Sequence, residues 1–493
     1  MIKSVYETVH KKTVSIEEIR NLTPGEKSKL VSENVCQTTI HFSKRTDKLM
    51  SILKQGGIFV HDGIDYKVDS FFYRVEYQAR GAPHIHSLLW LKDDEGNSPP
   101  SMWNQSMESK ENLSNSIAAF CDSIMSGSAE MINCDKHDVM ENNCDECAFG
   151  KSLVERYQSH KHTFSCRKRG KKIRILPSEG HGRLDNCTKG EELLIDVCRL
   201  RMPKYPIDQT TFIFPFPQDT EAEVLKNAKK DFNKIRKYLL RITSSENFKS
   251  TPEWKKFKSM SFTDFLFNVG MFKSDVRNDD KEAENARKRY IQALRCEVKT
   301  SGLVILKRNT SDIFTNNYNK HLILIHSANM DIQFVIDEYV VAEYIIGYLL
   351  KIETSLSLML KNINDEAIKE GVTMVETIRR IGKAIDKGRE VSVQECIYRI
   401  LGLSMTKFSD VCRFIDTKHP ERREGLLKNN IENLDESECI FHNSLHDYYQ
   451  LRPEDEKYNE TGKVSNYWKN LCLADFVSLY NIDYTKNEKT LNY

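Results

Sequence analysis

Apolar and β-branched residues fill two short segments early in the chain, and a turn-forming tetrapeptide separates them. The segments are Phe71 to Val75 and Ile85 to Leu91, and the tetrapeptide is Arg-Gly-Ala-Pro at 80–83. Strand-forming residues on both sides of a Gly- and Pro-containing turn predict a β-hairpin. Polar residues at every second position then lie on one face of that hairpin.

Four side chains that can bind a metal lie on this predicted face. If the turn centres on Gly81, Gln78 lies opposite His84. Glu76 then lies opposite His86, and all four side chains share one face. Two histidines and one amide or carboxylate oxygen leave coordination positions open, as a metal that polarises a phosphate oxygen requires. A His-x-His sequence by itself is more often a pair of ordinary polar residues, so this hypothesis depends on the whole hairpin.

A second segment, residues 339–351, has helical spacing and few turn-forming residues. Tyr344 and Tyr348 are four positions apart and share one face of a helix, with Lys351 on the same side and Tyr339 rotated away. A tyrosine phenoxide can displace a 3′ oxygen at a DNA phosphate and retain the 5′ phosphate covalently. The alternative is an amphipathic helix whose tyrosines pack against neighbouring aliphatic residues.

Together the two segments resemble the replication-initiator endonuclease domain of Helitron transposases, the rolling-circle transposons of eukaryotes. The resemblance extends from about Glu33 to Tyr480 and includes blocks in family order at 158–166, 198–204 and 391–402. It implies an α+β fold with an antiparallel HUH-type sheet flanked by helices, HUH being the His-hydrophobic-His motif. A Cys/His-rich insert and a helical C-terminal region would complete this fold.

The resemblance implies that His84 and His86 are metal ligands and that Gln78 or Glu76 is the third ligand. Gln78 is preferred because it is the cross-strand neighbour of His84 in the predicted register. Glu76 is the stronger ligand for a hard cation. Mg²⁺ or Mn²⁺ at this site would assist the cleavage of single-stranded DNA.

The resemblance also implies that Tyr344 and Tyr348 are the nucleophiles of a nicking and rejoining reaction with a 5′-phosphotyrosine intermediate. Lys351 would add positive charge nearby. One tyrosine would cut the donor and the other would act at the target, in either order. The expected partners are single-stranded DNA at transposon ends and a helicase, in trans or in the same polypeptide.

Two departures from the family pattern leave an alternative open. No Gly-x-x-x-x-Gly-Lys-Ser/Thr sequence of a helicase occurs in the chain. Residues 1–32 do not match the strand that usually opens the nuclease, and Ser15 to Leu30 instead predicts a helix with Ser15 as N-cap and Glu18 three residues later. The alternative is a catalytically inactive DNA-binding remnant of a transposon, or the nuclease part of a longer nuclease-helicase.

Cysteines and histidines are concentrated between residues 131 and 205. Their short spacings match structural zinc sites, so we predict zinc rather than disulfide bonds or unligated thiols. The preferred ligand set is Cys134, His137, Cys144 and Cys147. A split site would combine Cys144 and Cys147 with His162 and Cys166. A second site would use His160, His162, Cys166 and Cys198.

The formal net charge of only +2 excludes a strong global field that attracts nucleic acid, so DNA contacts must come from local basic patches. The clearest patch suits phosphate contact or nuclear import, and a solvated loop without a partner is the alternative. Its basic residues are Arg167, Lys168, Arg169, Lys171, Lys172 and Arg174. Without a signal run or an apolar stretch of about 18 residues, we expect a nuclear or cytosolic protein, neither secreted nor membrane-spanning.

The pattern divides the chain into six predicted segments. These are an N-terminal helical segment at 1–35, a first nuclease half at 36–130, the Cys/His-rich insert at 131–205, a helical insertion at 206–300, a second nuclease half at 301–352 and a helical region at 353–493. The predicted helices lie at 221–242, 279–296, 364–387 and 393–403. Buried strands are predicted at 303–306 and 321–326, and they would return the chain to the nuclease sheet.

Overall fold

A computed structural model shows an α+β protein with about 51% helix and small antiparallel sheets, which confirms the predicted mixed class. The chain forms two compact units, residues 1–407 and 408–493. The residues described are 2–77, 82–100, 107–129, 144–163, 166–180, 182, 192–245, 247–273, 279–299, 301–337, 340–341, 343, 365–366, 369–373, 375–377, 379–380, 392–410, 415–416, 418–419, 421, 423, 425, 444–450, 452, 457–458, 464–465, 467–482 and 491–492.

Three short helices open the chain: α1 (Ile2–His10), α2 (Ile16–Asn21) and α3 (Pro24–Glu33). Ser15 caps α2 as predicted, and Glu18 bonds back to the Ser15 amide at 2.8 Å. The single helix predicted from Ser15 to Leu30 is wrong, because Thr23 begins a second capping box and α3 starts at the following proline.

The long helix α4 (Val35–Gln55) precedes a four-stranded sheet. Its strands β1 (Phe59–His61), β2 (Ile64–Tyr77) and β3 (Pro83–Lys92) pair in antiparallel order along the chain. β8 (Thr406–Phe408) also pairs with β2, which is therefore the central strand.

The β2–β3 hairpin is confirmed, but its predicted register is wrong. Glu76 pairs with His84, and Arg74 pairs with His86. Relative to the prediction, β3 is displaced by two residues, because the observed pairs are centred one position before Gly81. A displacement by an even number of residues leaves every side chain on its predicted face.

One face of this hairpin is buried. Tyr73 and Val75 on β2 are 2% and 1% exposed, and a β-bulge between Val68 and Ser70 keeps Val68 on the same buried side. This face packs against residues of α4, of α5 (Met107–Ile124) and of the helix Val393–Ile400. The helix Val393–Ile400 confirms the one predicted at 393–403, although it ends earlier.

A second core is built by helices and is rich in aromatic residues. Its helices are α7 (Ala222–Ile242), α8 (Pro252–Lys258), α9 (Phe262–Asn268) and α10 (Asp280–Leu294). α7 and α10 confirm the helices predicted at 221–242 and 279–296. Arg289 of α10 binds the buried carboxylate of Asp231 on α7 through two hydrogen bonds of 2.5 and 2.7 Å.

The strand predicted at 303–306 is confirmed as β7 (Leu303–Ile305), but it pairs with β6 (Thr211–Ile213) in a separate two-stranded sheet. The strand predicted at 321–326 is wrong, because these residues belong to helix α11 (Lys320–His326). Asn319 caps α11 by accepting a hydrogen bond from the Leu322 amide at 2.8 Å. A short apolar run fits a buried helix as well as a strand, so periodicity does not separate the two.

The Cys/His-rich region contains helix α6 (Asp145–Tyr157) and a hairpin of β4 (Arg167–Ile175) with β5 (Leu193–Cys198). The basic run is therefore part of a strand, not the solvated loop that was the alternative interpretation.

In the second unit, the helices Leu445–Gln450, Tyr467–Asn470 and Leu473–Leu479 contribute to a small core around Phe476. Most of the helix predicted at 364–387 lies outside the described residues. In the part of the chain described above, no helix combines the length and the apolar character needed to cross a membrane.

Candidate metal centres

The β2–β3 hairpin brings together three metal-capable side chains near its tip: Glu76, His84 and His86, here called the hairpin triad. Glu76 and His84 are a cross-strand pair, and His86 lies two residues further along β3 on the same face. The two histidines predicted to share this face therefore lie together, and Glu76 is the third group beside them.

The ligand atoms of the hairpin triad converge on one point. Glu76 Oε2 lies 2.9 Å from His86 Nε2 and 3.4 Å from His84 Nε2. The two Nε2 atoms are 3.1 Å apart. Neighbouring ligands at right angles around one ion, each about 2.1 Å from it, are about 3.0 Å apart. These three atoms therefore have the spacing of one triangular face of an octahedral site.

The hairpin triad is partly open to solvent, with side-chain exposures of 27% for Glu76, 34% for His84 and 19% for His86. Burial and the neighbouring His86 lower the pKa of His84, and the Glu76 carboxylate opposes this shift. A lowered pKa keeps the imidazole neutral, which is the form that binds metal. Two imidazoles and one carboxylate suit a divalent cation with open coordination positions.

Other predicted residues of the nuclease site lie outside the described residues. These are Gln78, Tyr344, Tyr348 and Lys351. The preference for Gln78 rested on the predicted register, and that register is wrong because Glu76 is the cross-strand neighbour of His84. Arg74, opposite His86 on the same face, was not among the predicted site residues. Because side chains alternate along a strand, Arg74 shares the face of Glu76, and the sequence pattern alone could have identified it.

A second cluster, here called the Cys/His cluster, contains His160, His162, Cys166 and Cys198. Cys166 directly precedes β4, and Cys198 ends β5, so the two thiols lie at the same end of this hairpin. The His160 amide donates a hydrogen bond to the Phe314 carbonyl at 2.8 Å. This bond joins the His-x-His segment to the turn that contains Phe314.

The distances in the Cys/His cluster match a tetrahedral zinc site. His160 Nε2 lies 3.3 Å from His162 Nδ1 and 3.6 Å from Cys198 Sγ. His162 Nδ1 lies 3.4 Å from Cys166 Sγ. Around a tetrahedral zinc ion, two nitrogens are about 3.4 Å apart and a nitrogen and a sulfur about 3.6 Å apart, given metal–ligand distances of about 2.05 and 2.3 Å. All four positions of such a site are filled by protein.

Burial shapes the electrostatics of the Cys/His cluster. Cys166 and Cys198 are each 4% exposed. Burial lowers the pKa of His160 to about 4, and electrostatic repulsion from His162 and Lys204 adds to this shift. Burial also lowers the pKa of His162. Burial raises the pKa of Cys198, against hydrogen bonds from the Met202 and Leu200 amides. Amides directed at a cysteine sulfur stabilise the thiolate, the form that binds metal.

The other predicted zinc ligands do not join this cluster. Cys134 and His137 lie outside the described residues, so the preferred tetrad stays a prediction. Cys144 is the N-cap of α6 and Cys147 is buried within it. The split site is wrong because the group that converges on His162 and Cys166 includes neither Cys144 nor Cys147, and its other members are His160 and Cys198.

The basic strand β4 is partly neutralised by its surroundings. Arg167 pairs with Asp196 at 3.2 Å, and Arg174 forms two hydrogen bonds with Glu192 at 2.7 and 2.9 Å. Lys171 and Lys172 are exposed on the same strand. The side chains of Lys168 and Arg169 lie outside the described residues.

Comparison with known proteins gives no match: no protein family, no curated protein and no solved structure is similar to this chain.

Proposed function

We propose that the protein is a metal-dependent endonuclease of the HUH type that nicks and rejoins single-stranded DNA, as the resemblance to Helitron transposases implies. The observation on which this proposal depends is the convergence of Glu76, His84 and His86 on one partly exposed face of a β-hairpin. An open site with two imidazoles and a carboxylate suits metal-assisted chemistry at phosphorus better than a structural role.

In this proposal, Glu76, His84 and His86 bind Mg²⁺ or Mn²⁺. The ion would supply positive charge beside a non-bridging oxygen of the scissile phosphate. The two neutral imidazoles and the carboxylate hold one negative charge between them, so the occupied site stays net positive toward the phosphate. Their fixed positions on paired strands orient the phosphate without large side-chain rearrangement.

Tyr344 or Tyr348 would be the nucleophile, with Lys351 adding positive charge nearby. The phenoxide oxygen bonds to phosphorus and the bond from phosphorus to the 3′ oxygen breaks. The 5′ phosphate stays on the tyrosine, and the released 3′ oxygen takes a proton. Attack by a 3′ hydroxyl on the phosphotyrosine reverses these steps and rejoins DNA.

We further propose that His160, His162, Cys166 and Cys198 bind a structural zinc ion. The spacing of their ligand atoms and the deep burial of both thiols support zinc. This ion would tie the open end of the β4–β5 hairpin to the His-x-His segment. Lys171 and Lys172 on this hairpin are then candidate phosphate contacts, and a nuclear location stays a prediction.

A covalent-adduct assay tests the proposed activity. Purified protein is incubated with labelled single-stranded oligonucleotides and Mn²⁺, and adducts are resolved on a denaturing gel. Wild type and the matched control Tyr339→Phe should form the adduct, whereas Tyr344→Phe/Tyr348→Phe should not. A folded wild-type protein that binds DNA but forms no adduct would favour the inactive DNA-binding remnant.

A further inference from the structure

Trp90 lies on the same strand and the same face as the histidines of the hairpin triad. It is four residues beyond His86 on β3, and strand alternation therefore directs both side chains to one side. Trp90 is 51% exposed, although the opposite face of the hairpin is packed in the core. Trp90 therefore presents a large aromatic ring to solvent on the strand that carries the two histidines.

The strand pairing between Trp90 and the hairpin triad is unbroken. The pairs across the two strands are Ser70 with Trp90, Phe72 with Leu88, Arg74 with His86 and Glu76 with His84. Because of the β-bulge between Val68 and Ser70, Ser70 lies on this face, whereas Val68 lies on the buried face. The result is a strip with the metal ligands and a guanidinium at one end, partly buried apolar groups in the middle and an exposed indole at the other end.

We propose that single-stranded DNA lies along this strip, with one base stacked on Trp90 and the scissile phosphate at the hairpin triad. This inference rests on the proposed function and names how its substrate is held. Four residues of strand place Trp90 about 13 Å from His86. The stacked base would therefore lie a short distance along the strand from the cleaved bond, not at it.

The chemistry of the strip favours single-stranded DNA over other occupants. With a divalent cation bound, the triad end is positive and Arg74 adds to that charge, which suits phosphates. The indole end suits the face of a base, and base faces are accessible in single strands but not inside a duplex. A protein partner would match the apolar middle, but it would not need the metal and Arg74 at one end.

The test measures DNA binding rather than cleavage. In the full chain with Tyr344→Phe/Tyr348→Phe, a labelled oligonucleotide is titrated and followed by fluorescence anisotropy. Adding Trp90→Ala should weaken binding to the single strand about tenfold, whereas Trp90→Phe should retain most of the affinity. Phe149→Ala, which removes an aromatic ring of similar exposure (50%) from α6, is the matched control and should have no effect.

Duplex DNA of the same sequence should bind equally with and without Trp90→Ala. Unchanged single-strand affinity in Trp90→Ala would overturn the inference and point to another occupant of the strip, such as a protein. Equal losses for single strand and duplex would overturn it as well. The proposed function fails separately, when the wild-type chain forms no covalent adduct, so the two failures are distinguishable.

Discussion

Two His-x-His segments of this chain belong to two different candidate metal sites. His84 and His86 meet a single carboxylate, and the three side chains stay partly exposed. His160 and His162 meet two thiols that are each 4% exposed. Both segments have the sequence His-x-His, so the difference between the two sites comes from the side chains that other segments contribute.

The source of those other ligands explains the difference in character. In the hairpin triad, the neighbouring strand adds one acid, and the three groups found among the described residues would leave positions open, as sites for chemistry require. In the Cys/His cluster, the ends of β4 and β5 each add a thiol and close the site, as structural zinc requires. We therefore expect loss of the closed site to reduce stability and loss of the open site to reduce activity.

Cys198→Ser should have the largest effect. It removes one ligand of the Cys/His cluster, so bound zinc should be lost and the free energy of unfolding should fall by about 3–5 kcal/mol. Metal analysis and thermal unfolding measure both quantities. Cys36→Ser changes an exposed cysteine and should alter neither. A Cys198→Ser protein with normal zinc content and stability would contradict the proposed zinc site at the Cys/His cluster.

His86→Ala should reduce activity and leave stability nearly intact. Loss of one ligand from the hairpin triad should lower the rate of adduct formation by about 10²- to 10³-fold, because charge stabilisation at the phosphate is lost. Single-turnover kinetics measure the rate, and thermal unfolding should be unchanged. If His86→Ala instead loses zinc or unfolds, the contrast between an open and a closed site is wrong.

Chelation should separate the two sites without any substitution. Brief exposure to EDTA should remove the cation from the partly exposed hairpin triad, while the buried Cys/His cluster retains zinc. Adduct formation should stop and should return on addition of Mn²⁺ alone. Recovery that requires added zinc would contradict the assignment of the two metals.

Glu76→Gln should have a smaller effect than His86→Ala. The amide keeps one oxygen ligand but removes the negative charge, so Mn²⁺ affinity should fall about 10- to 100-fold while some activity persists at high Mn²⁺. Activity measured across Mn²⁺ concentrations tests this. A maximal rate that stays lost at saturating Mn²⁺ would show that Glu76 does more than bind the ion.

Lys171→Ala/Lys172→Ala should have the smallest effect. Both side chains are exposed on β4, so their loss should weaken DNA binding modestly and reduce the salt dependence of the binding constant by about two phosphate contacts. Affinities measured at several salt concentrations provide the slope. An unchanged slope would exclude β4 from the DNA-binding surface.

The sequence identified the hairpin and its two histidines because strand alternation and turn-forming residues are local properties. The register could not be predicted in the same way, because the position of the turn between two strands depends on backbone geometry that composition does not determine. The error of two residues preserved the face but changed the partner of His84 from Gln78 to Glu76. The face of a strand is thus easier to predict than its neighbour.

The Cys/His cluster was predicted as a second zinc site, and the set preferred for the first site lies partly outside the described residues. Cys144 and Cys147 have the short spacing of a zinc knuckle, whereas Cys166 and Cys198 are distant in sequence and meet only because β4 and β5 pair. Residues 321–326 form α11 because Asn319 caps a short apolar run, of which Leu322 and Ile323 are buried. Strand pairing between distant residues and a local helix cap are thus two determinants that apolar periodicity does not show.

A titration with Mn²⁺ followed by electron paramagnetic resonance tests the central claim most directly. Zinc-loaded wild-type protein should bind one further Mn²⁺ at the hairpin triad, and His86→Ala with the same zinc content should lose it. No Mn²⁺ binding by the wild type, or binding that survives His86→Ala, would contradict the assignment of Glu76, His84 and His86 as an open metal site.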